Sequence, residues 1–306
     1  MGVLVEGQWR DRWYDTGTSG AFERSAAKFR KHVTADGSSG FKAEPGRYHL
    51  FLALACPWCH RVLLMRALKK LEDAISVSFV EPLMLVEGWV FREPDPITGA
   101  KRIYEIYLKA DPGHSGRATV PILWDRKTGT IVSNESAEIV RMLNREFDAF
   151  TDARTDYYPA DLAPEIDRIN ARVYDTVNNG VYKAGFATRQ EPYERAVREL
   201  FASLDWLEGI LSKQRYLAGE RLTEADIRLF PTLVRFDAVY YGHFKCNLRH
   251  VYEYPALWRS VRAFHALPGV AKTIDLQNFK AHYYGSHKTI NPSGVIPLGP
   301  QIDFGG

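Results

Sequence analysis

Cysteine is scarce in this sequence, with only Cys56, Cys59 and Cys246 among 306 residues. So small and odd a number excludes a disulfide framework and suits a reducing compartment. Charge of one sign is lacking as well: 40 Lys and Arg face 37 Asp and Glu, for a net charge of +3. No basic block stands out, which removes the footprint expected of a nucleic-acid binder. Long apolar runs are missing too; the longest, near Leu50 to Cys56, is far too short to span a bilayer. The N-terminus carries Glu6, Arg10 and Asp11 where a secretory core would stand, and Met1-Gly2 lacks the downstream Ser or Thr of an N-myristoylation signal. No internal repeat is visible. What is present is ordinary globular composition, 45% hydrophobic and 25% charged, in a chain long enough for two domains. The expectation is a cytoplasmic protein with neither membrane nor nucleic acid as partner.

Residues 1–46 are polar, with clusters of Gly, Ser and Thr, and read as an extension lying over the domain that follows. Residues 47–148 form that domain. It opens with the apolar run Tyr48 to Ala55, expected to be a central buried strand. Pro57 suits the first turn of a helix. Val62, Leu64, Met65, Leu68 and Leu71 give that helix one apolar face, and Lys69 and Lys70 complement its negative end. Ile75 to Val80 alternates like a half-buried strand. Residues 84–118, which contain Trp89, Pro94, Pro96 and Pro112, read as an inserted lid or loop. Val120–Trp124 and Ile131–Val132 then predict a hairpin. Glu135–Arg145 predicts a helix with Ile139, Met142 and Leu143 inward and Ser133 and Asn134 as capping candidates.

The regime changes near residues 148–162. From 160 to 284 the pattern is helical throughout, with Leu200, Leu204, Leu207 and Leu211 on one face. Thr223-Glu224-Ala225-Asp226 has capping-box spacing, with Asp in place of the usual Glu or Gln. The tail, 285–306, is rich in Pro and Gly and reads as irregular.

Chemistry concentrates at Cys56-Pro57-Trp58-Cys59, between a strand and a helix. A thiol at a helix N-terminus faces unpaired N–H groups and the positive end of the macrodipole, which stabilise thiolate over thiol. Cysteines so placed ionise at roughly pH 3.5–7.5. His60 and Arg61 add positive charge nearby. Cys56 is expected to be the exposed, turn-side sulfur and Cys59, one turn in, the more buried. The competing readings are a pair of core cysteines or half of a zinc site. Cys246 and the scattered histidines offer zinc no recognised spacing, so no metal is expected.

Val120-Pro121 gains meaning opposite such a turn. A cis bond there would direct the Val120 backbone at the sulfur and leave its N–H and C=O to pair with a peptide. Glu135-Ser136 opens a helix, where N–H groups and a hydroxyl can hold a carboxylate while the Glu carboxylate holds an ammonium. Simple helix capping explains that pair equally well when it is taken alone.

Taken together, these features resemble the glutathione transferase superfamily, and most closely its Xi class, the glutathionyl-hydroquinone reductases. The resemblance covers nearly the whole chain. It rests on Cys56-Pro57-Trp58-Cys59-His60-Arg61, Ala110-Asp111-Pro112, Gly116 to Pro121 and Ser133-Asn134-Glu135-Ser136. In the helical half it rests on Gly180 to Ala187, His243 to Asn247 and His282 to His287. One departure is Asn278-Phe279, where His-Ile is expected before Lys280. The resemblance implies the glutathione transferase fold, an α/β thioredoxin-like N-terminal domain plus an all-α C-terminal domain. It also implies glutathione as co-substrate, a quinone-derived thioether as substrate and a homodimer. It implies Cys56 as nucleophile and Trp89, Arg117, Val120, Glu135 and Ser136 as glutathione contacts. Tyr182 and Tyr283, or Tyr284 beside it, would line the electrophile pocket as proton donors or orienting groups. Cys59 is a candidate resolving thiol. Two other functions share these features: a glutaredoxin-like disulfide or dehydroascorbate reductase, and a non-catalytic scaffold that binds partners through its helical half.

Overall fold

In the computed structural model, which describes residues 2–12 and 17–305, the chain forms two units. They are Met1–Trp13 with Ala26–Thr155, and Tyr14–Ser25 with Asp156–Gly306.

The first unit begins with an antiparallel ribbon of β1 (Val3–Val5) and β2 (Gln8–Arg10). Its turn places Glu6 and Gly7 at positive φ, as a two-residue hairpin needs. Gly7 has a second reason to lack a side chain, since a Cβ there would sit 2.3 Å from the Pro112 carbonyl oxygen. Leu4 exchanges both backbone bonds with Gly116, and further on Lys31 donates to Val132 O. The extension therefore does lie on this unit, in two pieces. Its middle, residues 17–25, belongs instead to the second unit, where the Thr188 N–H donates to Gly20 O.

Next come β3 (Tyr48–Leu52), α1 (Pro57–Leu68), β4 (Ser76–Phe79), α2 (Ile103–Ala110), β5 (Ile122–Asp125), β6 (Thr130–Ser133) and α3 (Ser136–Arg145). The sheet runs β4-β3-β5-β6, with β3 parallel to β4 and antiparallel to β5. All five β3 residues are buried, as a central strand requires. α1 buries Val62, Leu64 and Met65 and packs on α3, which buries Ile139, Val140 and Leu143.

Three details differ from expectation. The inserted segment is not all loop, because α2 lies within it. α2 buries Ile103, Ile106 and Tyr107 at helical spacing, yet its eight residues, flanked by Pro and Gly, are too short to signal themselves. The cap of α3 is Glu135, whose carboxylate accepts from Ala137 N at 3.0 Å. Ser133 and Asn134 act one step earlier: the Ser133 hydroxyl accepts from Glu135 N and the Asn134 carbonyl Oδ1 from Phe29 N. Lys69, at the C-terminus of α1, is fully buried rather than solvated. It donates to Asp148 at 2.6 Å and to Thr155 O at 3.1 Å.

The second unit is helical. It comprises α4 (Ala163–Val173), α5 (Gly180–Gly185), α6 (Gln190–Leu211), α7 (Glu224–Arg235), α8 (Tyr241–His243), α9 (Pro255–His265) and α10 (Leu276–Ser286). The four expected leucines of α6 are buried. Thr223 and Asp226 do form a reciprocal capping box at the start of α7, and burial lifts the Asp226 carboxyl to about 6. Two π-helical turns interrupt the helices: Tyr174–Asn178 before α5 and Phe236–Tyr240 before α8. Near the second, the buried Arg235 donates its guanidinium to the Pro231 carbonyl at 2.9 Å. Among the described residues no helix is long and apolar enough to cross a membrane.

Candidate active site

Cys56 is the N-cap of α1, with extended φ −76° and ψ 120°, and Pro57 fills the first helical position. Its carbonyl accepts the first helical bond, from His60 N at 2.9 Å. The sulfur therefore stands at the positive end of the helix, where N–H groups converge. The expected ranking of the two sulfurs holds, but Cys56 is itself nearly covered at 9% exposure, against 1% for Cys59. The cover comes from across the turn. Val120-Pro121 is cis, and the Cys56 thiol lies 3.7 Å from the Val120 carbonyl, which accepts from it. Cys59 Sγ accepts from Ala53 N at 3.4 Å, inside the core. Among the described residues all three cysteines are reduced. Cys246 is fully buried, and burial pushes its thiol far above the ordinary range, so it is inert.

The other residues that the resemblance implies as glutathione contacts sit on separate elements of the first unit. Glu135 caps α3 and Ser136 begins it, both next to Asn134. Arg117 donates to the carbonyls of Gly2 and Arg12, which ties it to the N-terminal ribbon. Trp89 is buried in the inserted segment, with its carbonyl accepting from Ile103 N. The Arg61 guanidinium lies over the Trp58 ring at 4.6 Å, so this buried cation is held by an aromatic face. Sequence reasoning missed Tyr107. Its hydroxyl, buried under the cis-proline loop, bonds Thr119 and Asn134.

In the second unit the structure brings Tyr182 and Tyr283 together, their hydroxyls 2.6 Å apart. A third phenol, Tyr240, lies 3.0 Å from the Tyr283 hydroxyl. Tyr240 was not anticipated. It sits in an apolar run beside Tyr241, and only the π-helical turn turns it toward Tyr283. Tyr284 takes no part in the chain and packs its ring against His243. Burial, reinforced by the other two phenols, raises Tyr283 well above the ordinary phenol range, so it stays protonated. Three hydroxyls in a row can relay a proton without moving heavy atoms. Their wall is aromatic: Phe244 stacks on Tyr240 at 5.5 Å and meets Tyr182 edge-on at 5.4 Å. Gly185 permits this, since a Cβ there would lie 2.1 Å from the Phe244 ring. Below the wall, His243 Nε2 and His287 Nδ1 share a 3.0 Å bond. Burial drives His243 down to about 3 and His287 also well down, so this pair is neutral. Among the described residues no group of three or more His, Cys, Asp or Glu is arranged to hold a metal ion.

Comparison with known proteins fits this geometry. The glutathione S-transferase N-terminal domain family matches residues 55–146 and the corresponding C-terminal domain family matches residues 190–263. A glutathionyl-hydroquinone reductase of Sphingobium chlorophenolicum is 56% identical over 306 residues, covering 98% of this chain and 96% of that protein. The glutathione-bound structure of a glutathione transferase homologue from Escherichia coli K-12 is 50% identical. It covers 98% of this chain and 96% of that one, with a TM-score of 0.90. A Xi-class glutathione transferase from Natrialba magadii is 44% identical, covering 100% and 96% of the two chains with a TM-score of 0.94.

Proposed function

The chain belongs to the glutathione transferase family, and on that premise we propose that it reduces glutathionyl-hydroquinones to hydroquinones, with glutathione as reductant. The observation that carries the reading is Cys56 at the N-cap of α1, facing the Val120 backbone across a cis-proline loop. Relatives at 56% and 54% identity carry the name glutathionyl-hydroquinone reductase.

In the first step the Cys56 thiolate attacks the sulfur of the thioether. A disulfide forms between Cys56 and glutathione, the sulfur–aryl bond breaks, and the aryl carbon takes a proton as hydroquinone. A second glutathione, as thiolate, attacks the mixed disulfide; glutathione disulfide leaves and Cys56 is again a thiolate. The aromatic ring gains two electrons, one pair supplied by the two sulfurs that end as a disulfide.

Roles follow from chemistry. The Val120 backbone pairs with the cysteinyl part of glutathione, as strand addition does. Ser136 and the α3 N-terminus receive the γ-glutamyl carboxylate, and Glu135 receives its ammonium. Arg117 supplies a cation for a carboxylate and Trp89 an apolar cover. Tyr182 and Tyr283 bond the quinol oxygens and deliver the proton. Cys59 is the candidate resolving thiol, needed only where a second glutathione is lacking. Residues 47–148 serve glutathione and residues 160–284 the quinol; the extension 1–46 and the tail 285–306 flank them. A homodimer in the cytoplasm, where glutathione keeps thiols reduced, completes the reading.

The test is product analysis with a glutathionyl-hydroquinone and glutathione. Wild type releases hydroquinone and glutathione disulfide in equal amounts. Cys56→Ala loses at least about 10³-fold in rate, the scale expected when a nucleophile is removed. Equal release by both proteins would sink the mechanism.

A further inference from the structure

Tyr107 is fully buried, and its hydroxyl is the meeting point of several bonds. It donates to the Thr119 carbonyl at 2.9 Å. It accepts from Thr119 N at 3.1 Å and from Asn134 Nδ2 at 2.8 Å, with the Thr119 hydroxyl 3.2 Å away. A phenol has one proton and two lone pairs, so those first three bonds exhaust its capacity. Its partners are telling. Thr119 immediately precedes Val120, whose backbone faces Cys56. Asn134 immediately precedes Glu135, the cap of α3.

Asn134 is held at its far end as well: its Oδ1 accepts from Phe29 N and its own N–H donates to Phe29 O. The Phe29 ring meets Tyr107 edge-on at 5.7 Å, and the His114 ring lies 5.1 Å away. The phenol therefore sits in a fixed socket and cannot yield to either neighbour. We infer that Tyr107 is a positioning residue which sets the spacing between the cysteinyl clamp at Val120 and the γ-glutamyl clamp at Glu135-Ser136. The inference rests on the glutathione site proposed above. A ligand gripped by both clamps needs that spacing; a ligand gripped by one does not.

This gives a test that separates spacing from mere loosening. Tyr107→Phe keeps the ring in its socket and deletes the hydroxyl, leaving Thr119 N–H and Asn134 Nδ2 buried without their acceptor. Glutathione binding weakens about tenfold, the cost of one such lost centre. KM for glutathione rises in parallel, while kcat at saturation and the rate of Cys56 alkylation by iodoacetamide stay within about twofold. Cysteinylglycine, which lacks the γ-glutamyl arm, binds with at most about a twofold change in NMR titration, because it uses one clamp. Equal weakening of both ligands, or weakening of neither, overturns the inference. If Tyr107→Phe does not fold, Asn134→Ala keeps the Thr119 link and cuts the second, together with the bond from Phe29 N, and the same asymmetry is expected at about threefold; symmetric behaviour there overturns it too. Should wild type itself not bind glutathione, the proposed function fails along with the inference. If wild type binds and turns over while the variants match it on both ligands, only the positioning role fails.

Discussion

The two units hold their chemistry in different materials. In the first, the groups that meet the Cys56 sulfur are main chain: the N-terminus of α1 beneath it and the Val120 carbonyl across from it. In the second they are side chains: three phenols whose hydroxyls lie within 3.0 Å of one another in sequence along the chain of bonds, walled by Phe244 and Phe186. Main-chain sites depend on backbone path, so they survive most substitutions and are lost with the few residues that steer the path. Side-chain sites are lost one functional group at a time.

The sharpest way to probe that contrast is Tyr283→Phe. It removes the central hydroxyl and keeps the ring. kcat for hydroquinone release should fall about 10²-fold, the usual worth of a proton donor, with glutathione affinity measured by calorimetry unchanged. A matching loss of glutathione affinity would mean the two sites are not separable in this way.

Acid should strike both units through buried histidines: burial also pushes His114 and His287 down, and the two that carry the test are His49 in the first unit and His243 in the second. Burial drives His49, on β3, down to about 4 and His243 to about 3. In the unfolded chain each titrates near 6.5, so below that pH the unfolded state takes up protons the fold refuses. Stability is complete above pH 6.5 and falls as pH drops toward 4 and 3. Between pH 6.5 and 5 each histidine should cost about 2 kcal/mol. Urea unfolding at pH 7 and 5, for wild type, His49→Gln and His243→Gln, reads this directly. A pH slope unchanged by either substitution would remove the explanation.

The smallest effect compares two helix caps. Thr223→Ala in the second unit should lose about 1 kcal/mol of stability, with KM for glutathione unchanged. Glu135→Ala in the first should lose a similar amount and, on the clamp role proposed for Glu135, also raise that KM. If thermal unfolding and kinetics show the two variants behaving identically, Glu135 is a cap and nothing more.

The same contrast explains what could be read from the sequence. The letters leave the Val120-Pro121 bond open, and the structure makes it cis. Cys56-Pro57 and Glu135-Ser136, by contrast, are residue types that dictate backbone, so strand, turn and helix start are legible in the letters. The capping box at Thr223 and Asp226 was visible for that reason. Tyr182 and Tyr283 came only through the family resemblance, since nothing local marks two of sixteen tyrosines. Tyr240 and Tyr107 escaped altogether. One is selected from Tyr240-Tyr241 by helix geometry, and the other is buried by a short helix inside a segment whose prolines read as loop. The N-terminal extension escaped in part, because which unit a polar segment lies against is decided by partners far along the chain.

The two π-helical turns carry a last consequence. Each admits one residue more than a regular turn, and one residue is about 100° of rotation around a helix axis. Tyr182 follows one such turn and Tyr240 ends the other, so both phenols point where they do because of a residue count upstream. The helical unit thus stores part of its chemistry as phase. Deleting a single amino acid from 175–178 or 236–239 would remove no tyrosine from the chain and still swing one of them out of the cluster.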